Sequence, residues 1–492
     1  LPLQKAANIL HANALQADWA TLIRPRIIET YFYDMGKKEV AGKVEAVRED
    51  YAYILGNPPF VGKQLQNQRQ KEDLEFVFKE LKGAGVLDYV ACWYLKSAQY
   101  IQNTTIKVAF VSTNSVAQGE QVGILWNELF SKYKIKIHFA HRTFKWSNEA
   151  KGNAAVHVVI IGFTNLDIPN KKIFEYEDIN ADPHEIFVKN INPYLVEGKD
   201  FVILKRNTPI STVPEISFGS MPNDGGYFLF TDEEKIKFFF FFSNAKKFVK
   251  PILSTKEFLN GKKRWCLWLK DAEPKELREL KEVMKRVEAV KKIRMESDRD
   301  ATKKLAEYPQ LFGEIRQPDS RYIFIPLTSS ENRKYIPFGF FEKNEIANNS
   351  ASLIPMATHY HFGILQSIMH MAWVRSVCGR LESRYRYSNE IVYNNYPWPL
   401  NPTEKQIKNI ETCAQQVLNI RLEFPNSSLA DLYDPTTMPP KLVKAHQELD
   451  KAVDAAYRSK PFESEAKRME FLFELYEKYT ADLFTKKKGK GK

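Results

Sequence analysis

Between residues 51 and 165 short apolar runs and amphipathic stretches take turns, and this alternation restricts the fold more than any other feature of the chain. "YAYILG" (51–56), "KVAFVSTNS" (107–115), "KIKIHFAHRTF" (134–144) and "AAVHVVIIGF" (154–163) read as strands, the first of them as a buried one. "LDYVACWYLKSAQYI" (87–101) and "GEQVGILWNELFSKY" (119–133) carry apolar residues at helical spacing. Strands and helices in alternation are the pattern of an α/β domain.

The first strand runs straight into Asn57-Pro58-Pro59-Phe60. Two adjacent prolines forbid helix and remove two backbone donors, so the chain makes a rigid corner there. Such a corner suits chemistry on an amino group conjugated to a ring, whose delocalised lone pair makes it a poor nucleophile. Two acceptors, the Asn57 side-chain oxygen and the Pro58 carbonyl, can draw the nitrogen toward tetrahedral geometry, and prolines hold both still. Phe60 can stack on a base flipped out of a duplex. Gly56 and Gly62 read as backbone relief around the corner, and a Cβ at Gly56 is expected to crowd the substrate.

From about 170 to 400 strands become short, turns frequent and aromatics dense, and one long helix is expected over roughly 274–306. Leu277, Leu280, Met284, Val287 and Val290 make one face of it, which packs on its domain or lies along DNA. "GRLESRYRYSNEIVYNNYPWP" (379–399) places Glu382, Arg384 and Arg386 on one face of an extended strand, with Tyr385 and Tyr387 on the other. Arginine pairs with guanine and glutamate accepts from cytosine, so this row can read base edges; a surface ion pair is the alternative. Lys262, Lys263 and Arg264 suit phosphate contacts or form a solvated basic turn. After "NYPWPLNP" (395–402) the chain reads as largely helical.

With 492 residues the length suggests about three domains, and the net charge of +12 points weakly to a polyanionic partner. Four scattered cysteines without a CxxC argue against a disulfide scaffold and a structural zinc site, and fit a reducing cytoplasm. No metal is expected, and no apolar run of about 18 residues suggests a membrane span.

These wordings carry a resemblance. "NPPF" after a strand resembles motif IV of amino-methyltransferases that use S-adenosylmethionine. "NILHANALQADW" (8–19) resembles motif III, "LDYVACWYLKSA" motif V, "VAFVSTNSVAQGEQV" (108–122) motif VI, and "FAHRTFKWSNEAKGNAAVHVVIIGF" (139–163) motifs VII and VIII. Together they resemble the MmeI-like type IIG/IIL restriction–modification enzymes, which methylate adenine in double-stranded DNA. The resemblance implies an α/β fold: a partial Rossmann-like class I methyltransferase domain (1–170), a mixed α+β target-recognition domain (171–398) and a helical C-terminal segment (399–492). It implies that Asn13, Ala14, Gly56 and Asn57 line the cofactor. Asn57, Pro58, Pro59 and Phe60 would be catalytic, and Glu382, Arg384, Arg386, Asn349 and Ser350 would recognise DNA. Phe144 and Trp146 either stack on a base or anchor a loop.

The family's glycine-rich motif I should precede motif III, yet motif III starts within fifteen residues of Leu1. A fragment of a longer protein is the expectation, with a missing N-terminal segment or partner chain supplying motif I and a nuclease domain. A catalytically incomplete DNA-binding module is the main alternative, and a methyltransferase acting on protein glutamine or RNA the other.

Overall fold

The computed structural model describes residues 10–21, 26–34, 39–47, 52–146, 156–176 and 181–488. The chain divides into two compact units, Leu1–Leu204 and Lys205–Lys492.

In the first unit β1 (Arg26–Asp34) and β2 (Glu39–Val47) form an antiparallel ribbon. The six-stranded sheet is made of β3 (Tyr53–Gly56), β4 (Lys107–Thr113), β5 (Lys136–Trp146), β6 (Val156–Thr164), β7 (Lys171–Glu175) and β8 (His184–Val188), in the order β3-β4-β6-β5-β7-β8. β3 and β4 are parallel, β6 is antiparallel to both β4 and β5, and β7 is parallel to β5. Strict alternation of buried residues along β4 puts Val108, Phe110 and Ser112 on the inner face.

Among the described residues three α-helices accompany the sheet: α1 (Gln68–Val77), α2 (Ala91–Tyr100) and α3 (Glu120–Ser131). α1 begins on a capping box in which Asn67 and Gln70 satisfy each other's backbone N–H groups. Tyr94 of α2 fixes the helix layer to the sheet. Its ring meets Phe110 of β4, Phe163 of β6 and Trp126 of α3 at centroid distances of 5.4, 5.4 and 5.9 Å. Its hydroxyl is paired with Ser112 at 2.7 Å, so this buried phenol is satisfied. Gly162 of β6 is required by a close approach: a Cβ there would lie 2.1 Å from the Phe139 ring.

One expectation is corrected. β3 is an edge strand, with Tyr53 64% and Leu55 75% exposed, and it pairs only with β4 among the described residues. An apolar run shows that a strand forms; whether neighbours cover it depends on pairing.

The second unit holds two four-stranded sheets and one three-stranded sheet. The long helix expected over 274–306 is three helices, Pro274–Glu279, Lys281–Met295 and Asp300–Lys304. Leu280 leaves helical geometry (φ −91°, ψ 71°), yet the apolar face continues across the break. Leu277, Leu280, Val287 and Val290 are buried in one core, joined by Val283 and flanked by Met284. Periodicity records which side chains face that core, and a one-residue interruption leaves the spacing intact. Helices Glu404–Leu422, Pro440–Tyr457 and Glu465–Lys488 close the chain.

Candidate functional site

The corner at residues 57–60 stands at the carboxyl end of β3, beside the turn Asn114–Ala117 that leaves the parallel strand β4. In open α/β sheets ligands bind in the crevice outside such strand ends. Pro58 is buried, Phe60 half-buried, and Asn57 and Pro59 are exposed. The Asn57 amide has no hydrogen-bond partner among the described residues, which leaves its oxygen free to accept.

A lattice of hydrogen bonds fixes the loop that follows. The Tyr89 N–H donates to Val61 O at 2.9 Å and the Lys63 N–H to Asp88 Oδ1 at 3.3 Å. Asp88 Oδ2 accepts the Ser115 hydroxyl at 2.5 Å, and the Asp88 N–H donates to Gln121 Oε1 at 2.8 Å. The corner is thus tied to the helix layer and to the turn after β4. The glycines act differently from expectation. A Cβ at Gly56 would meet the Phe110 ring at 3.2 Å, so what it would crowd is the core under the corner. Gly62, at φ −66° and ψ 152°, lies in the ordinary extended region and relieves no strain.

Asn13 and Ala14 sit exposed on a turn over residues 13–17, closed by Gln16 and Ala17 N–H groups donating to Asn13 O. Leu15 anchors this turn in the core. Lys96 Nζ donates to Leu15 O at 2.7 Å and the Trp19 indole to Ala14 O at 2.7 Å. Burial lowers the Lys96 pKa, with Asp18 opposing. The buried Asp73 of α1 accepts from Asn13 Nδ2 at 2.9 Å, from Gln16 Nε2 at 2.8 Å and from the Tyr89 hydroxyl at 2.6 Å. Burial and then the bond to Asp73 push the Tyr89 phenol well above its usual value, and burial chiefly raises the Cys92 thiol to about 12. Sequence reasoning missed Asp73; its only trace is an acid on the inward face of an amphipathic helix. A cavity of about 360 Å³ adjoins this turn, lined by Ala12, Ala14, Trp19, Tyr53 and Leu55. Asn13 is exposed and its carboxamide oxygen, which already accepts the Leu15 N–H at 3.0 Å, has a second lone pair for an exocyclic amino group, so the residues present fit the adenine end of S-adenosylmethionine. Among the described residues no glycine-rich loop joins a strand to a helix.

Phe144 is engaged within its own unit, stacked on Tyr176 at 5.2 Å and edge-on to His141 at 6.1 Å. His141 stacks on Phe174 and shares a hydrogen bond with the Tyr176 hydroxyl, and burial lowers its pKa. The side chain of Trp146 lies outside the described residues.

In the second unit strands Gly379–Leu381 and Arg384–Arg386 form a hairpin whose second strand also pairs with Thr328–Ser329. Arg384 and Arg386 point out together while Tyr385 and Tyr387 are buried, as the alternation requires. Glu382 departs from the extended-strand reading. It occupies the hairpin turn at φ +58° and comes alongside Arg384 through a 2.7 Å ion pair. Beneath the hairpin the Tyr387 hydroxyl meets the Nε2 of His370, whose pKa burial lowers to about 3, so the ring is neutral. Asn349 is exposed. Ser350 is committed to structure, accepting the Thr255 N–H at 2.8 Å and bonding Asn348 Oδ1 at 2.6 Å. Lys262 and Lys263 are exposed just past the left-handed Gly261, whereas Arg264 lies 4.0 Å from Glu257.

Three family descriptions match this chain. "MmeI, DNA-methyltransferase domain" matches residues 1–175, "MmeI, target recognition domain" residues 197–400, and "MmeI, C-terminal domain" residues 402–484. DNA methyltransferase A of Bacillus subtilis (strain 168) is 40% identical over 481 residues, 98% of this chain and 51% of that protein. The solved structure of the type IIL restriction–modification enzyme MmeI in complex with DNA is 49% identical. It superposes with a TM-score of 0.81 over 98% of this chain and 61% of that one. The chain therefore spans about half the length of the curated relative it matches.

Proposed function

The chain belongs to the MmeI family, carrying its DNA-methyltransferase, target recognition and C-terminal domains in that order, and from that premise we propose that it methylates adenine N6 at specific sites in duplex DNA as part of a restriction–modification system. The observation that carries this reading is the exposed Asn57 amide, without a hydrogen-bond partner among the described residues, on a double-proline corner at the ends of two parallel strands. S-adenosylmethionine, when bound, supplies an electrophilic methyl group. Asn57 Oδ1 and the Pro58 carbonyl accept from the two N–H groups of a flipped adenine and localise its lone pair. Phe60 offers a face for the extruded base. Asn13 and Ala14 hold the adenine end of the cofactor, and Arg384, Arg386, Glu382 and Asn349 read base edges. Lys262, Lys263 and Arg264 serve as phosphate contacts. Four free cysteines fit a reducing cytoplasm.

The uncovered edge of β3, with Tyr53 and Leu55 exposed, supports a further strand-bearing segment completing the cofactor pocket, from the same polypeptide or a separate one. The alternative is a sequence-specific DNA-binding module, for which the outward-facing Arg384 and Arg386 speak. Calorimetry with S-adenosylmethionine separates the two, since a pure binding module gives no heat. The direct test incubates the full-length protein with duplex DNA and S-adenosylmethionine and looks for N6-methyladenine by mass spectrometry. Product from the wild type and none from Asn57→Ala, at equal DNA affinity, is expected; absence of product from DNA-bound wild type overturns the reading.

A further inference from the structure

Asp73 is 4% exposed, has no ion-pair partner among the described residues, and instead collects three neutral donors. Those donors come from separate places: Asn13 and Gln16 on the turn before β1, and Tyr89, whose own N–H holds Val61 just past the corner. A carboxylate beside Asn13 can only accept, so the amide nitrogen must face it. On the other side the Leu15 N–H can only donate, at 3.0 Å, so the amide oxygen must face that way. Two independent neighbours therefore fix which end of the Asn13 amide is which. Reversing it would set oxygen against carboxylate and N–H against N–H. Asn13 is exposed, and its oxygen keeps a second lone pair.

We infer that Asp73 is a positioning residue that makes this site selective for a 6-amino purine, by locking the Asn13 amide with its oxygen available as an acceptor. The inference rests on the reading that Asn13 meets the adenine of the cofactor. A 6-amino group donates to that oxygen, whereas a 6-oxo group presents a second acceptor to it. Sites built to hydrogen-bond a ligand group reject the analogue lacking it far more strongly than apolar pockets discriminate by size. With Asp73 gone, only the Leu15 N–H opposes rotation of the amide, and the nitrogen can turn outward to meet a 6-oxo purine.

The test measures calorimetric affinity of the full-length protein for S-adenosylhomocysteine and for its 6-oxo counterpart, S-inosylhomocysteine, with no turnover involved. The wild type should prefer the amino form by about tenfold or more. Asp73→Ala should compress that preference to within about threefold, and Asp73→Asn, which keeps an oxygen for Asn13 Nδ2, should recover part of it. Tyr89→Phe removes another donor from the same carboxylate and disturbs the same packing, so it serves as the structural control and should keep the full preference. Equal loss of affinity for both ligands in Asp73→Ala, with the preference intact, overturns the inference and leaves the adenine contact standing. Collapse of the preference in Tyr89→Phe as well also overturns it. A wild type that binds both analogues alike, or neither, overturns the adenine contact itself and the inference with it.

Discussion

Asp88 and Ser115 are joined at 2.5 Å, and the other Asp88 oxygen takes the Lys63 N–H at 3.3 Å. One side chain thereby connects the loop after the double-proline corner with the turn after the neighbouring parallel strand. Cutting this tie lets residues 57–63 relax, and a displacement near 1 Å at a reacting group costs on the order of a hundredfold in rate. Asp88→Ala should therefore lower single-turnover methylation by about 10- to 100-fold while DNA affinity holds, with Asp88→Asn intermediate. A parallel fall in DNA affinity would show that Asp88 supports the whole unit rather than the corner.

In the hairpin of strands Gly379–Leu381 and Arg384–Arg386, Glu382 bears a side chain at φ +58°, a conformation that costs an L-residue roughly 1 kcal/mol and glycine almost nothing. Glu382→Gly should raise thermal stability slightly and yet degrade recognition, because the acceptor beside Arg384 is lost. Sequencing-based mapping of methylated sites should then show one position of the target becoming degenerate. Arg384→Ala should weaken discrimination at one base by about 1–3 kcal/mol. An unchanged target sequence in both variants would move recognition elsewhere.

Arg294 is almost fully buried and donates to five backbone carbonyls, those of Pro222, Asn223, Leu305, Tyr308 and Leu311. Burial lowers its pKa, with the Asp224 charge opposing, and the ring of carbonyls accepts its N–H groups. Arg294→Met leaves those carbonyls unpaired and should cost roughly 3–5 kcal/mol, read as a lower denaturant midpoint. Arg294→Lys should recover little, since three donors on one ammonium cannot span the same ring. Full recovery by lysine would contradict the geometric account.

Asp450 accepts the Tyr335 hydroxyl at 2.6 Å and the Ile368 N–H at 2.7 Å, and burial raises its pKa to about 6 from an ordinary 3.8. A raised folded-state value means the native form binds the proton more tightly. Its stabilising effect is complete below pH 3.8 and is lost as pH rises through about 6. Asp450→Asn removes this titration. The stability of the variant relative to wild type should therefore climb between about pH 4 and 6, by up to ~3 kcal/mol, and level off above. Urea unfolding at several pH values checks it; a difference flat with pH would place the titration elsewhere.

The order of strands and helices over 53–164 is written in local spacing. β4, α2 and α3 lie within a few residues of where their apolar periods put them, because period and burial are both properties of one segment. The double proline likewise fixes a corner wherever it occurs. Arg384 and Arg386 share a face for the same local reason. Other features were closed to a reading along the chain. Nothing in "YAYILG" tells that Leu55 is uncovered, since exposure of a strand depends on which strands lie beside it. Asp73 meets Asn13 across 60 residues and Asp88 meets Ser115 across 27, pairings that exist only once three elements have come together. Glu382 leaves the strand because a hairpin must turn, and the turn's position is set by its partner strand. Residue types and their periods are local quantities and can be read in order; coverage, partners and register arise between segments distant in sequence, and folding alone brings those together.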